Sequence, residues 1–196
     1  MIKAVLFDLD GVLVDAVDLH QKAFLEAVKP YKEIDEAYHH QHLNGLPTKK
    51  KLDKLGFYTD QIEEINSRKQ EITFDLIPKL IKPVPEVLKV ISHVRKRSIP
   101  FAVCSNSIRK SCEMLLEHAG VQGYEFIISN QEVIYPKPHP EIYVQAIHRL
   151  GLLPEEVLIV EDSPVGLEAA YATGAQVCEI QNPRDIGKVL EVLESQ

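Results

Sequence analysis

Asp8 and Asp10 stand two residues apart in Asp8-Leu9-Asp10-Gly11, where the apolar run Lys3–Leu9 ends. Ser105-Asn106-Ser107 closes a second apolar run, Pro100–Ser105, and Glu161-Asp162-Ser163-Pro164 closes a third, Val157–Asp162. Lys137 lies between prolines in Tyr135-Pro136-Lys137-Pro138, just after the run Glu125–Ser129. Brought together, these positions offer up to four carboxylates, a lysine and serine hydroxyls. Clustered carboxylates repel one another unless a hard cation neutralises them, and Mg2+ accepts such oxygen ligands while leaving positions for a phosphate. A lysine and a serine beside that cation would hold the other phosphate oxygens. The chemistry this set suits is phosphoryl transfer, which depends mostly on positioning and charge neutralisation. Each group also has a plainer reading. Asp8 and Asp10 could cap a strand end, Lys137 could be a solvated loop lysine, Ser105 could be a helix N-cap, and Glu161 and Asp162 could be exposed turn acids.

The elements around these residues decide between the readings. The four runs, with a fifth at Gln176–Ile180, are almost continuously apolar, as parallel strands covered on both faces are. Helical spacing separates them at Val84–Lys96, Ser107–His118, Pro140–Leu150 and Val165–Thr173, with a closing helix at Arg184–Leu193. Gly120, Gly151 and Gly174 fall where helix C-caps belong. Strand alternating with helix predicts an α/β fold, a doubly wound parallel sheet with right-handed crossovers. In such a sheet ligands bind beyond the carboxyl ends of the strands, where the polar groups named above sit.

Residues 16–81 break the alternation. They contain helical patterns only, at Ala16–Val28, Glu33–His42, Thr48–Leu55 and Gln61–Leu80, punctuated by Pro30 and Pro47. This is too long for an ordinary crossover. The expected organisation is an α/β core from residues 1–15 and 82–196, with an all-helical cap inserted at 16–81.

Four motifs in order give the chain a specific resemblance. Asp8-x-Asp10-Gly11-Val12-Leu13-x-Asp15, Ser105 after an apolar strand, Lys137 in Lys-Pro-His-Pro-Glu, and Glu161-Asp162-Ser163-Pro164-x-Gly166 resemble the four motifs of the haloacid dehalogenase (HAD) superfamily. The position of the helical insert resembles the subgroup that holds β-phosphoglucomutase and small sugar-phosphate phosphatases. The resemblance implies a Rossmann-like core, a Mg2+ cofactor and a covalent phosphoaspartate. Asp8 would be the nucleophile, and Asp10 would protonate the leaving alcohol and then deprotonate the attacking water. Mg2+ would be held by the Asp8 carboxylate, the Asp10 main-chain carbonyl and Asp162, with Glu161 ligating directly or through water. Ser105, Lys137 and the Asn106 amide would bind the phosphoryl oxygens, with the amides after Asp8 forming a nest for them. Gly11 would let the backbone approach the phosphate.

Inside the insert, His20 resembles a histidine of the mutase branch, and Asn44-Gly45-Leu46-Pro47-Thr48 resembles that subgroup's specificity loop. Gly45, Thr48 and Lys49 are therefore candidate substrate contacts, with Lys49-Lys50-Lys51 and Lys54 as a local basic cluster and Arg109 as a further anion contact from the core. His39, His40 and His42 lack partner ligands at matching spacing, and Cys104 reads as core. The chain departs from its relatives at Ala16, which carries no hydroxyl, at Thr48, where the mutase branch has arginine, and at Ile108, where it has lysine. These departures favour a phosphatase of a small sugar or polyol phosphate over a phosphomutase. A non-catalytic binding protein would have no need of Asp8, Asp10, Lys137 and Asp162, and a metal-free dehalogenase none of Asp10 or the Glu161-Asp162 pair.

Composition sets outer limits. Of 196 residues, 45% are hydrophobic and 26% charged, with a formal net charge of −7, which fits a globular protein with no attraction to nucleic acid or anionic membrane. No apolar run has the length of a membrane span. Three cysteines, an odd number without a Cys-x-x-Cys pair, point to a reducing cytosol. The expectation is a cytoplasmic monomer acting on a small phosphorylated metabolite.

Overall fold

The computed structural model describes residues 1–43 and 46–195. They divide into two compact units, one formed by Met1–Asp15 with the chain from Lys82 onward, the other by Ala16–Ile81.

The first unit is an α/β sheet. Strands β1 (Ala4–Phe7), β2 (Phe101–Cys104), β3 (Ile127–Ile128), β4 (Val157–Glu161) and β5 (Gln176–Glu179) lie in the order β3-β2-β1-β4-β5. All four pairings are parallel, with Val5 opposite Phe101 and Leu158, and Phe7 opposite Val103 and Val160. The three central strands are buried along their whole length, which explains their continuous hydrophobicity. Residues two apart share a face. Leu6, Ala102, Cys104, Val157 and Ile159 thus form one core with Ile142, Tyr143, Ala146 and Ile147 of α7 (Glu141–Leu150) and with Ala169 and Ala170 of α8 (Pro164–Tyr171). Val5, Phe7, Phe101 and Val103, also buried, have the opposite parity, and the Phe7 and Phe101 rings meet edge to face at 5.8 Å.

The predicted strands were longer than the observed ones, in proportion most of all the third. Only Ile127 and Ile128 qualify, although Glu125 N and Phe126 O continue the hydrogen bonding to Phe101 and Val103. Gly120 and Gly151 are left-handed C-caps as expected, of α6 (Arg109–Ala119) and α7. Gly174 is left-handed too (φ +77), but α8 has already ended, with Ala172 as its C-cap. The closing helix is interrupted. Residues Pro183–Gly187 form a 3-10 turn capped by Asn182, and α9 runs only over Lys188–Glu194.

The second unit is all helical: α1 (Val17–Val28), α2 (Glu36–His42), α3 (Thr48–Lys54) and α4 (Thr59–Leu80). Phe24, Ala27 and Val28 of α1 pack with Leu43, Leu52, Ile62 and Ile65 into its own core. Helix α2 starts three residues later than its hydrophobic pattern suggests. Asp35 caps it, its carboxylate accepting from Ala37 N at 2.7 Å. The specificity-loop residues Asn44 and Gly45 lie outside the described residues. No described helix is long and apolar enough to cross a membrane. Helix α5 (Pro85–Lys96) follows on the α/β side, with proline in its first turn.

Candidate active site

The carboxyl ends of β1, β2 and β4 bring the charged groups together. Lys137 is at the centre, 2% exposed, with its ammonium enclosed by four acceptors. They are Asp8 Oδ1 at 2.5 Å, Glu161 Oε1 at 2.6 Å, the Tyr143 hydroxyl at 2.8 Å and the Cys104 carbonyl at 2.9 Å. The Tyr143 hydroxyl in turn donates to Glu161 Oε1 at 2.8 Å. Burial disfavours the lysine charge, but Asp8 and Glu161 outweigh that and hold the ammonium above the ordinary lysine range. Lys137 is thus a structural cation as well as a candidate phosphate ligand.

Glu161 is fully buried and fully engaged. Oε1 accepts from Lys137 and Tyr143, while Oε2 accepts from Asp162 N at 2.9 Å, Ser163 N at 3.2 Å and Ser163 Oγ at 3.3 Å. Oxygens of Asp8, Glu161 and Asp162 lie within 4.8 Å of one another. Asp162 Oδ1 is buried without a hydrogen-bond partner. A buried, unpaired carboxylate oxygen is costly unless something positive binds there. Burial pushes the Asp8 carboxyl well above the ordinary carboxylate range; Lys137 opposes this, and Glu161, Asp162 and Asp10 add to it. Asp162 is pushed up to about 7 by burial, then by Glu161, against Lys137. A divalent cation would reverse both shifts, and the all-oxygen donor set suits Mg2+. The residues fit that ion, with Asp8 and Asp162 available as ligands and Glu161 already spent on hydrogen bonds.

Asp10 is half-buried, and its side chain is not among the three clustered carboxylates. Its Oδ2 accepts from Ser107 Oγ at 2.9 Å and Ser105 Oγ at 3.4 Å. Ser105 is buried but does not cap a helix, because α6 begins at Arg109 after Ile108. The amides of Gly11, Val12, Leu13 and Val14 are used in the turn that follows β1, so the expected anion nest cannot include them. Gly11 is required by another neighbour. Its φ is +97, and a β-carbon there would lie 2.1 Å from Asp162 Oδ2.

Several candidates have other employment. The Asn106 side chain clamps the Lys137 backbone, accepting from Lys137 N at 3.0 Å and donating to Lys137 O at 3.3 Å. Arg109 is no free anion contact: its guanidinium pairs with Glu132 and donates to the Ile127 carbonyl at 2.9 Å. In the helical unit, His20 Nδ1 lies 3.3 Å from Lys69 Nζ, and Lys69 is buried. Thr48 opens α3, half-buried, with Lys49 and Lys50 exposed beside it. Lys51, grouped with them by sequence, turns inward to His39 Nε2 at 3.1 Å. Cys104 is core, its thiol pushed up to about 12 by burial. Tyr143 was missed as a site residue, and Ser107 was named at its strand end without a role. Tyr143 reads as one more apolar position of an amphipathic helix, and Ser107 as the start of the next.

Among known proteins, a phosphorylated carbohydrates phosphatase of Thermotoga maritima is 28% identical over 178 residues, covering 89% of this chain and 82% of that protein. A fructose-1-phosphate phosphatase of Escherichia coli is 27% identical over 180 residues, covering 90% and 95%. The crystal structure of CbbY from Rhodobacter sphaeroides in complex with phosphate superposes with a TM-score of 0.83 at 25% identity, covering 91% of this chain and 86% of that one. Residues 5–180 match the family model for haloacid dehalogenase-like hydrolases. With that match across the sheet and the motifs at its strand ends, the chain belongs to the haloacid dehalogenase-like hydrolases.

Proposed function

We propose that this chain is a Mg2+-dependent phosphatase that hydrolyses a small sugar or polyol phosphate through an aspartyl-phosphate on Asp8. The observation that carries the reading is the buried group Asp8–Lys137–Glu161–Asp162, with Asp162 Oδ1 unpaired inside it. A structural ion pair needs one acid for one lysine. The surplus acids make sense where a cation and a phosphoryl group are to be bound. The phosphatases of T. maritima and E. coli support the substrate class.

Asp8 and Asp162 would hold Mg2+ with the Asp10 main-chain carbonyl, Glu161 acting from behind through Lys137 and the Asp162 amide. When bound, Mg2+ supplies positive charge to the carboxylates and to the phosphoryl oxygens. Lys137 fixes Asp8 Oδ1 and so orients the carboxylate for attack on phosphorus. As the bond from Asp8 to phosphorus forms, the ester bond breaks and Asp10 gives its proton to the leaving oxygen. Asp10 then takes a proton from water, whose oxygen displaces Asp8 and releases phosphate. Ser105 and Lys137 bind the phosphoryl oxygens. Substrate selection is assigned in this reading to the helical unit, residues 16–81, with His20, Gly45, Thr48 and Lys49 as the candidate contacts.

The test is a panel of phosphate monoesters assayed with and without Mg2+, alongside Asp8→Asn. Mg2+-dependent phosphate release that disappears in the variant supports the reading, and the best ester names the substrate. Release that survives in Asp8→Asn removes the covalent step. Silence on every ester, with turnover of β-glucose 1-phosphate in the presence of its bisphosphate, would make the protein a mutase instead.

A further inference from the structure

A carboxyl that first gives a proton and then takes one works best when it is held in one orientation. The end of β2 supplies a device that does this for Asp10. Ser107 Oγ donates to Asp10 Oδ2 at 2.9 Å. Ser105 Oγ lies 3.4 Å from the same oxygen and accepts from Ser107 N at 3.0 Å. Ser107 is itself pinned, its carbonyl accepting from Asn130 N at 3.2 Å and from the Cys112 thiol at 3.8 Å. Both hydroxyls therefore converge on Oδ2, and the Ser107 bond is the shorter.

We infer that Ser107 is the positioning residue for Asp10. Its hydrogen bond to Oδ2 sets the orientation of the carboxyl that gives and takes the proton. This rests on the reaction proposed above. When the ester bond breaks, its electron pair stays on the leaving oxygen, which receives the proton from the Asp10 carboxyl. In hydrolysis the proton passes from water to the Asp10 carboxylate, the water oxygen bonds to phosphorus, and Asp8 departs with the electron pair of its own bond to phosphorus. Ser107 keeps its hydrogen throughout.

Leaving-group dependence separates this role from a structural one or a substrate contact. A sugar or polyol phosphate expels an alkoxide that needs the proton, whereas p-nitrophenyl phosphate expels a stable phenolate. In kcat/KM, which reports the steps up to loss of the leaving group, Ser107→Ala is expected to lower turnover of the sugar phosphate about tenfold, the worth of one hydrogen bond to a charged group. The loss on p-nitrophenyl phosphate should stay within about twofold, because proton donation contributes little there. Ser107→Thr, which keeps the hydroxyl, should restore the sugar phosphate rate. On an Asp10→Asn background, assayed at raised enzyme concentration, Ser107→Ala should cost nothing further. Equal losses on both esters, or a loss that persists on the Asp10→Asn background, would assign Ser107 to substrate or fold and overturn the inference. A wild-type protein silent on every ester of the panel with Mg2+ would remove the phosphatase reading and this inference with it.

Discussion

Gly166 leaves the space that the Glu161 carboxylate fills: a β-carbon at Gly166 would lie 1.8 Å from Glu161 Oε1. Gly166 is inside α8, where glycine ordinarily costs about 0.5–1 kcal/mol relative to alanine. On that ground alone Gly166→Ala should stabilise the protein. The contact reverses the sign. Alanine would push Glu161 off Lys137 and off the Asp162 and Ser163 amides, and overpacking of this kind costs roughly 1–3 kcal/mol before lost hydrogen bonds are counted. The expected result is a lower midpoint in urea unfolding and a lower Mg2+-dependent rate. A variant as stable as wild type would show that α8 can yield.

Lys137 stands between two buried carboxylates, so its removal leaves both without a counter-charge. Breaking a buried ion pair from one side costs about 3–5 kcal/mol. Lys137→Met keeps most of the volume and should lose stability on that scale at pH 7.5. The deficit should narrow at lower pH. A carboxyl whose folded pKa is raised favours the fold below its unfolded value and weakens it as pH rises through the folded value. Losing the lysine raises Asp8 further. A deficit that does not change with pH would mean that the carboxylates find other partners.

Much of this site was legible because strand ends are legible. The apolar runs before Asp8, Ser105 and Glu161 predict parallel strands, and the topology places their ends together. Lys137 was legible through its flanking prolines. The partnerships were not, because they join residues whose separation carries no pattern. Arg109 looks available until Glu132 and the Ile127 carbonyl are seen to occupy it. Lys51 sits in a run of three lysines, yet alone turns inward, and nothing in a charge run marks which member does. Tyr143 occupies an apolar helix position, and only the fold puts its hydroxyl against Lys137. A motif names groups that meet, while the hydrogen bonds that fix them come from side chains outside it.

Asp162 faces Glu161, Asp8 and Asp10, and in the metal-free protein its charge is a burden. Asp162→Asn keeps the shape and removes the repulsion. The metal-free variant should therefore melt above metal-free wild type at pH 8. Added Mg2+ should reverse the order, because wild type gains stability by binding the ion, whereas the variant, lacking that ligand, should bind it about tenfold or more weakly. Isothermal titration of Mg2+ and melting with and without it read both halves. Unchanged affinity would exclude Asp162 as a ligand.

The helical unit makes its own prediction about pH. His39 is 1% exposed, with Nε2 3.1 Å from the Lys51 ammonium and Nδ1 without a hydrogen-bond partner. Burial, then Lys51, then His40 hold its pKa down to about 4, so the folded imidazole is neutral and accepts from Lys51. In the unfolded chain a histidine titrates near 6.5. A depressed folded value means the stability is complete above the unfolded pKa and is lost as pH falls toward the folded one. Between pH 6.5 and 4 this histidine should thus withdraw up to about 3 kcal/mol. His39→Gln retains an oxygen that can accept from Lys51 and does not titrate. Urea unfolding followed across that range should show a shallower acid loss in the variant. Parallel curves would mean that His39 takes up its proton within the fold, with Lys51 moving aside.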